Sequence, residues 1–393
     1  MVSVARAELV VDLDAIEANV RRLAAAAGPA RLMVVVKADG YGHGMVPVAR
    51  AARRAGAPWL GAAVLEEALA LREAGDTGRI LTWLTVPGED VRAGVRAGLD
   101  LTAYSVAEVE HVRAAARDTG VRARLQLKID TGLHRGGATE TAWPAVVQAA
   151  LDAQRSGEVE VTGMWSHLAC ADEPDHPANG AQEGVFARAV SVAEDAGLRF
   201  EVRHLANSAA TLVRPSAHWD LVRCGIAAYG LTPDPVLGTA TELGLRQAMT
   251  VRSHLVLVKP VAAGEAVSYG HTWRAPRDTV VGLVPLGYGD GIPRHASSGP
   301  DGRGAEVLVG GRRAPVRGRI CMDQFVVELG HPADGGIPAR AGDPVTLLGS
   351  ADGAPSAQDW ADAAGTIGYE IVTRMRGRQQ RRYVGAHAEE DTR

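Results

Sequence analysis

The chain has 393 residues, of which 46% are hydrophobic and 22% charged, and a formal net charge of −4. That is ordinary for a soluble globular protein, long enough for two domains, and gives no reason to expect a nucleic acid or an acidic membrane surface as partner. Three dispersed cysteines, Cys170, Cys224 and Cys321, exclude a disulfide framework and point to a reducing, cytoplasmic setting.

The first stretch carries Glu8, Asp12 and Asp14 among its apolar residues and does not read as a signal peptide. No run of about 18 apolar residues follows, so no membrane span is expected. Short β-rich runs then recur at 31–38, 59–64, 79–85, 101–105, 122–130, 161–168, 200–208 and 221–230. Between most of them lie Ala-, Glu- and Arg-rich stretches with helical spacing, such as 65–75 and 107–120, and Gly75 and Gly120 sit where C-caps belong. Eight strands, each followed by a helix, predict a (β/α)8 TIM-type barrel, placed at 1–244. A doubly wound open sheet is the alternative, but no G-x-G-x-x-G opening supports it. From residue 245 to 393 the pattern changes to short strands broken by Gly and Pro, which predicts a mostly antiparallel β domain. The basic segment 374–382 lacks interleaved aromatics and reads as a solvated or interface surface.

The strand ends carry the chemistry. "VVVKADGYGHG" (34–44) ends a fully apolar run on Lys37, followed by glycines that let the backbone turn. In such a barrel the C-terminal end of a strand faces the active-site mouth, where a lysine loses proton affinity and becomes a nucleophilic amine able to bond a carbonyl. The plain alternative is a surface lysine paired with Asp39. The fifth predicted strand closes with Lys128, Asp130 and Arg135, the sixth with His167, and the eighth with Arg223, Gly225 and Ile226. The seventh ends at Asn207 and Ser208, where a hydroxyl and backbone N–H groups at a helix start suit a phosphate. His167, Cys170 and His176 match no common zinc spacing, so no metal is expected. Cys224 and Cys321 read as packed residues.

"VVKADGYGHG", "KIDTGLHRGG", "ANSAA", "VRCGI", "VSYGHTW", "LGYGDG", "GRICMDQ" and "GYEIVTR", in order over nearly the whole chain, resemble the alanine racemases, fold-type III pyridoxal-phosphate enzymes. The resemblance implies racemisation of L- and D-alanine with pyridoxal 5'-phosphate bonded to Lys37. It implies a phosphate held by Tyr41, Ser208, Gly225, Ile226 and Tyr369, and Arg223 at the pyridine nitrogen. Tyr269 would be the second base, and Met322, Asp323 and Tyr288 would serve the substrate site. A head-to-tail homodimer with shared sites is implied, in which Tyr269 and Met322 act in the partner's site. A free tyrosine ionises near pH 10, and His167 and Arg135 are placed to lower that. Arg223 would keep the ring nitrogen unprotonated and disfavour transamination. The family's Gly-Met-Gly-Arg reads Gly132-Leu133-His134-Arg135 here. A non-catalytic pyridoxal-phosphate protein would lack the second domain, and a basic-amino-acid decarboxylase would place a cysteine elsewhere. Lys128 has two readings: a direct pair with Asp130, or a carbamate that accepts from Arg135, as in some relatives.

Overall fold

The computed structural model describes residues 5–299 and 302–391. Its strands, in chain order, begin with β1 (Ala7–Asp12), β2 (Arg31–Val35), β3 (Trp59–Val64), β4 (Arg79–Leu84) and β5 (Asp100–Ala103). Then follow β6 (Ala123–Lys128), β7 (Val159–Trp165), β8 (Val202–His204) and β9 (Leu221–Cys224). The chain divides into two compact units, one of Ile16–Gly40 with Gly44–Leu245, the other of residues 1–15, Tyr41–His43 and Arg246–Arg393.

The first unit is a parallel eight-stranded barrel in the order β8-β7-β6-β5-β4-β3-β2-β9. Between β8 and β9 the wall is closed by the Asp220 N–H on the Arg203 carbonyl (3.0 Å) and the Arg223 N–H on the Ala206 carbonyl (3.0 Å). The strands are apolar on both faces because helices such as Val106–Thr119, Trp143–Arg155 and Pro177–Asp195 cover the outside. Ser105 caps the first of these through the Glu108 N–H, and Gly120 ends it in the left-handed region, as its place after the apolar run predicts. Inside, Met33, Trp59, Leu81, Trp165, Val202 and Leu221 form one cluster. A ring of charge sits where the strands begin. Asp100, fully buried, accepts two bonds from Arg79 (2.8 and 3.0 Å) and pairs with Arg124 at 3.3 Å, while Glu201 binds Arg31 (3.1 Å) and Arg79 (2.5 Å). A buried carboxylate is tolerable only with such full pairing.

The second unit continues with β10 (Met249–His254), β11 (Leu257–Val261), β12 (Ala266–Val267), β13 (Trp273–Arg274) and β14 (Thr279–Val284). It is completed by β15 (Glu306–Val309), β16 (Arg312–Arg317), β17 (Phe325–Glu328), β18 (Pro344–Leu348) and β19 (Gln380–Val384). Eight of them join β1 in a nine-stranded sheet in the order β11-β14-β17-β16-β15-β18-β10-β1-β19, antiparallel except where β1 runs parallel to β19. The strand β1, assigned to the barrel domain 1–244 from the sequence, thus lies in the β unit. It is paired on both sides, by β10 and β19, and most of its positions are buried, but no local signal names the sheet. Ser356 and Asp359 form a capping box for helix Ala357–Ala364, whose Trp360 donates to the Leu347 carbonyl at 2.6 Å.

Tyr41–His43 packs in this unit as well. Tyr41 and Tyr369 lie 6.4 Å apart between ring centroids, and Gly42, at φ +81°, has its α-carbon so close to helix Gly368–Arg374 that a Cβ would stand 2.3 Å from the Val372 carbonyl oxygen. Gly98 has a similar backbone, φ +61°, with nothing within 4 Å. Gly98→Ala is therefore expected to cost about 1 kcal/mol, and Gly42→Ala more than about 3 kcal/mol, measured by urea unfolding. Equal losses would show that the Val372 backbone yields to the added methyl.

Candidate active site

The apolar run Val34–Val36 does not extend through Lys37. The strand ends at Val35, and Val36 still donates to the Gly61 carbonyl at 2.8 Å. Residues Ala38, Asp39, Gly40 and Tyr41 then all lie in the left-handed region, with φ of 53°, 56°, 60° and 52°. One turn of left-handed helix containing three residues with a Cβ costs about 1–2 kcal/mol for each of them. Specific anchors hold it. Glu67 accepts from the Ala38 N–H at 2.6 Å and the Ala63 N–H at 2.9 Å, and the Asp39 carboxylate accepts from the Met45 N–H at 3.0 Å. The turn aims Lys37 at Trp83, with Nζ 5.9 Å from the ring centroid. Burial, and then the charge of Arg135, lower the Lys37 ammonium below its ordinary range, while Glu67 opposes them.

Lys128 ends β6, as predicted. Its Nζ lies 4.5 Å from the Trp165 ring centroid, and burial with the charges of Arg223 and Arg135 brings its pKa down to about 8. The direct pair with Asp130 does not form among the described residues. The chain leaves the strand after Lys128, and Asp130 turns to accept from the N–H groups of Gly132 (2.9 Å) and His134 (3.1 Å), with His134 Nδ1 at 3.4 Å. Strand alternation, on which that pair was predicted, no longer applies there. Arg135 is exposed, yet its charge bears on Lys37, Lys128 and His167.

Arg223 is buried in β9 and organises the mouth. Its Nη2 donates to the Ser166 carbonyl (2.8 Å), the Leu205 carbonyl (3.2 Å) and His167 Nδ1 (3.1 Å), and its Nη1 to His204 Nδ1 (3.1 Å). Both imidazoles must therefore be neutral with Nδ1 unprotonated. Burial, reinforced by Arg223, holds both well below the usual imidazole range, and Arg135, Lys128 and Lys37 push His167 further down. The Nε–H of Arg223 has no acceptor among the described residues, so the guanidinium keeps one donor for a ligand.

The loops after β8 and β9 meet at Ser208. Asn207 caps the short helix Ser208–Val213 by accepting from the Ala210 N–H at 3.0 Å, and Ser208 Oγ accepts from the Gly225 N–H at 3.0 Å. Ser208 and Ala209 open that helix and Ile226 opens the next turn, so their N–H groups have no intrahelical acceptor.

The remaining predicted residues lie in the β unit. Tyr269 is 71% and Met322 54% exposed, and Tyr288 is exposed too. Tyr269 is held between Ser268 and Gly270, both at positive φ, with Ser268 Oγ donating to the Arg319 carbonyl at 2.6 Å. The Tyr288 and Gly289 N–H groups donate to the Cys321 and Met322 carbonyls at 3.0 and 2.8 Å, which ties the two motifs together. Asp323 pairs with Arg378 at 2.8 Å, and Arg378 also grips Asp290 with two bonds of 2.9 Å, so part of the basic segment is neutralised locally. Trp165, His204, Gln126 and Asp100 were not singled out from the sequence, because isolated polar or aromatic residues inside apolar strands carry no periodic signal.

Two family models match the chain: alanine racemase N-terminal domain over residues 11–233 and alanine racemase C-terminal domain over 248–383. Curated relatives include the alanine racemases of Streptomyces coelicolor, 54% identical over 97% of both chains, and Frankia casuarinae, 53% identical over 95% of both. Among solved structures, alanine racemase from a D-cycloserine-producing Streptomyces lavendulae aligns with a TM-score of 0.95, 51% identity and full coverage of both chains. An alanine racemase from Bartonella henselae with covalently bound pyridoxal phosphate aligns at 0.85, with 26% identity over 97% of this chain and 100% of that one. By its two matched domains and its identity to these relatives over nearly its full length, the chain belongs to the alanine racemase family of isomerases.

Proposed function

We propose that the protein interconverts L- and D-alanine with pyridoxal 5'-phosphate, using Lys37 on one face of the substrate and Tyr269 of a second copy on the other. The observation that carries this reading is the mouth itself: an amine with lowered proton affinity, an anion cradle, and a buried guanidinium with a donor to spare, all at the C-terminal ends of one barrel's strands. These groups fit the cofactor. Lys37 would bond its aldehyde, and the Ser208 hydroxyl with the Ser208, Ala209 and Ile226 N–H groups would hold its phosphate, together with Asn207, Gly225, Tyr41 and Tyr369. Arg223 would offer Nε–H to the ring nitrogen. When bound, the cofactor acidifies the Cα–H of alanine by delocalising the resulting charge.

The residues then divide the work. The lowered pKa of Lys37 makes more of its neutral amine available to take or return the Cα proton. Tyr269 would do the same from the opposite face, aided by hydrogen bonding to His167, which is neutral and carries its hydrogen on Nε2. Arg135, Tyr288, Met322 and Asp323 would shape the alanine site. Because Arg223 does not give up its proton, a ring nitrogen held against it would stay unprotonated. That restrains the electron sink and favours return of the proton to Cα.

Lys128 completes the site as a carbamate. Its Nζ, with a pKa of about 8, offers about two orders of magnitude more free amine at neutral pH than an ordinary lysine. The nitrogen attacks CO2 and loses its proton, so a cation among Lys37, Arg135 and Arg223 becomes an anion able to accept from Arg135.

Four outcomes test this reading. Borohydride reduction of the holoenzyme followed by peptide mapping should place the cofactor on Lys37, and an adduct on Lys128 or Lys259 would sink the assignment. Lys37→Ala and Tyr269→Phe should each lose about 10²–10⁴-fold in kcat. Mixing the two should restore part of the activity in hybrid dimers, whereas no recovery despite subunit exchange, followed by differential tags, would rule out a shared site. Protein equilibrated with ¹³C-bicarbonate should show a carbamate resonance that Lys128→Ala lacks, and acetate should partly rescue that variant. No resonance and no rescue would leave Lys128 an amine.

A further inference from the structure

Two polar systems in the barrel are joined by one side chain. At the strand starts, Asp100 is held by Arg79 and Arg124, and Thr162 Oγ1 donates to it at 2.5 Å. At the mouth, Arg223 rests on His167 and His204. Gln126, fully buried in β6, spans the gap: its Nε2 lies 3.5 Å from Asp100 Oδ1 and its Oε1 2.7 Å from His204 Nε2.

The chemistry of this chain runs in one direction. A carboxylate paired with two guanidinium groups is charged and can only accept, so the Gln126 amide must turn its N–H toward Asp100. The amide oxygen then faces His204, whose Nε2 must carry the hydrogen. His204 Nδ1 is left with its lone pair, and Arg223 donates to it. Trp165 stacks on the imidazole at 5.8 Å with 5° between the planes, so the ring cannot turn over without breaking that contact. Every group in the chain is satisfied in this arrangement, and reversing the His204 tautomer would set donor against donor at Nδ1 and acceptor against acceptor at Nε2.

We propose that Gln126 is a positioning residue for Arg223: anchored by Asp100, it fixes His204 as the Nε2–H tautomer and so holds the guanidinium with its Nε–H free for the ligand. Its kinetic consequence rests on the reading of Arg223 as partner of the cofactor's ring nitrogen; its structural consequence does not. Without the amide oxygen, His204 can adopt the Nδ1–H tautomer, and Arg223 loses one acceptor and its fixed orientation. A ring nitrogen less firmly opposed by that guanidinium gains a proton more readily, and the proton taken from alanine Cα returns more often to the cofactor carbon. Water then releases pyruvate, and the amino group of alanine remains on the cofactor.

The test has two readouts. Long-range ¹H–¹⁵N NMR of histidine-labelled apoprotein, with His204 assigned from His204→Asn, should show Nε2 protonated and Nδ1 bare in the wild type. Gln126→Met should lose that preference, while Gln126→Glu, which as the neutral acid can donate to Asp100 and still accept from Nε2, should keep it. In the holoenzyme, pyruvate released per racemisation should rise about tenfold in Gln126→Met, the effect of one hydrogen bond, and stay near the wild-type ratio in Gln126→Glu. A role in packing alone would lower stability and leave both readouts unchanged. Wild-type His204 with its hydrogen on Nδ1 would overturn the assignment, and that measurement decides even where Gln126→Met fails to fold. A wild-type tautomer and pyruvate ratio in a folded Gln126→Met would overturn it as well. If the tautomer shifts and the ratio does not, Gln126 positions Arg223 as stated, and it is the placement of Arg223 at the ring nitrogen that fails.

Discussion

The Arg223 side chain is buried, and its four acceptors are two backbone carbonyls and two imidazole nitrogens, with no carboxylate among them. A guanidinium in that position keeps its charge but does not spend it, because nothing facing it is an anion. The positive field then spreads over the mouth. Burial first, and then this field, keep His167 and His204 neutral and depress Lys128, and the field leaves the site electrostatically complementary to an anionic ligand. An Arg–Asp pair in the same place would hold the guanidinium as firmly but would cancel the field. The buried carboxylate near this axis, Asp100, is at the other end of the strands, where Arg79 and Arg124 offset its charge.

The placement of Lys37 depends on a second constraint. Four successive residues in the left-handed region are unfavourable by several kcal/mol, and they persist because Glu67, on helix Leu65–Glu73, satisfies the Ala38 N–H. Glu67 also moderates the loss of proton affinity at Lys37. The same residue therefore sets both the geometry and part of the electrostatics of the amine. Strain of this kind at a chemically active residue is common where surrounding structure over-determines the backbone.

The β unit shows a different economy. Tyr269, Met322 and Ile367 are large and more than half exposed, while the backbone around them is tightly fixed by close approaches such as that of Gly287 to the Cys321 carbonyl oxygen, 2.2 Å from where a Cβ would stand. Rigid backbone presenting exposed aromatic and thioether side chains is the surface composition of a contact face. That agrees with the reading in which a second copy uses them.

Local pattern determined much of this protein. The period-2 and apolar runs named eight barrel strands, Gly and Pro density marked the change to antiparallel β structure, and strand ends exposed Lys37, Lys128, His167, Ser208 and Arg223, because position along a strand is a property of the sequence itself. What the tertiary structure alone decided is which polar groups meet. Asp100, Gln126 and His204 come from strands separated by 26 and 78 residues, and each looks alone like a stray polar residue in a buried strand. Ala38, Asp39 and Tyr41 have no local preference for a left-handed turn; the anchors that impose it come from elsewhere, so the strand was read too far, to residue 38. The pairing of β1 with β10 and β19 likewise had no local mark. Side-chain period reports which face of an element is buried, but the partner that buries it is chosen by long-range packing.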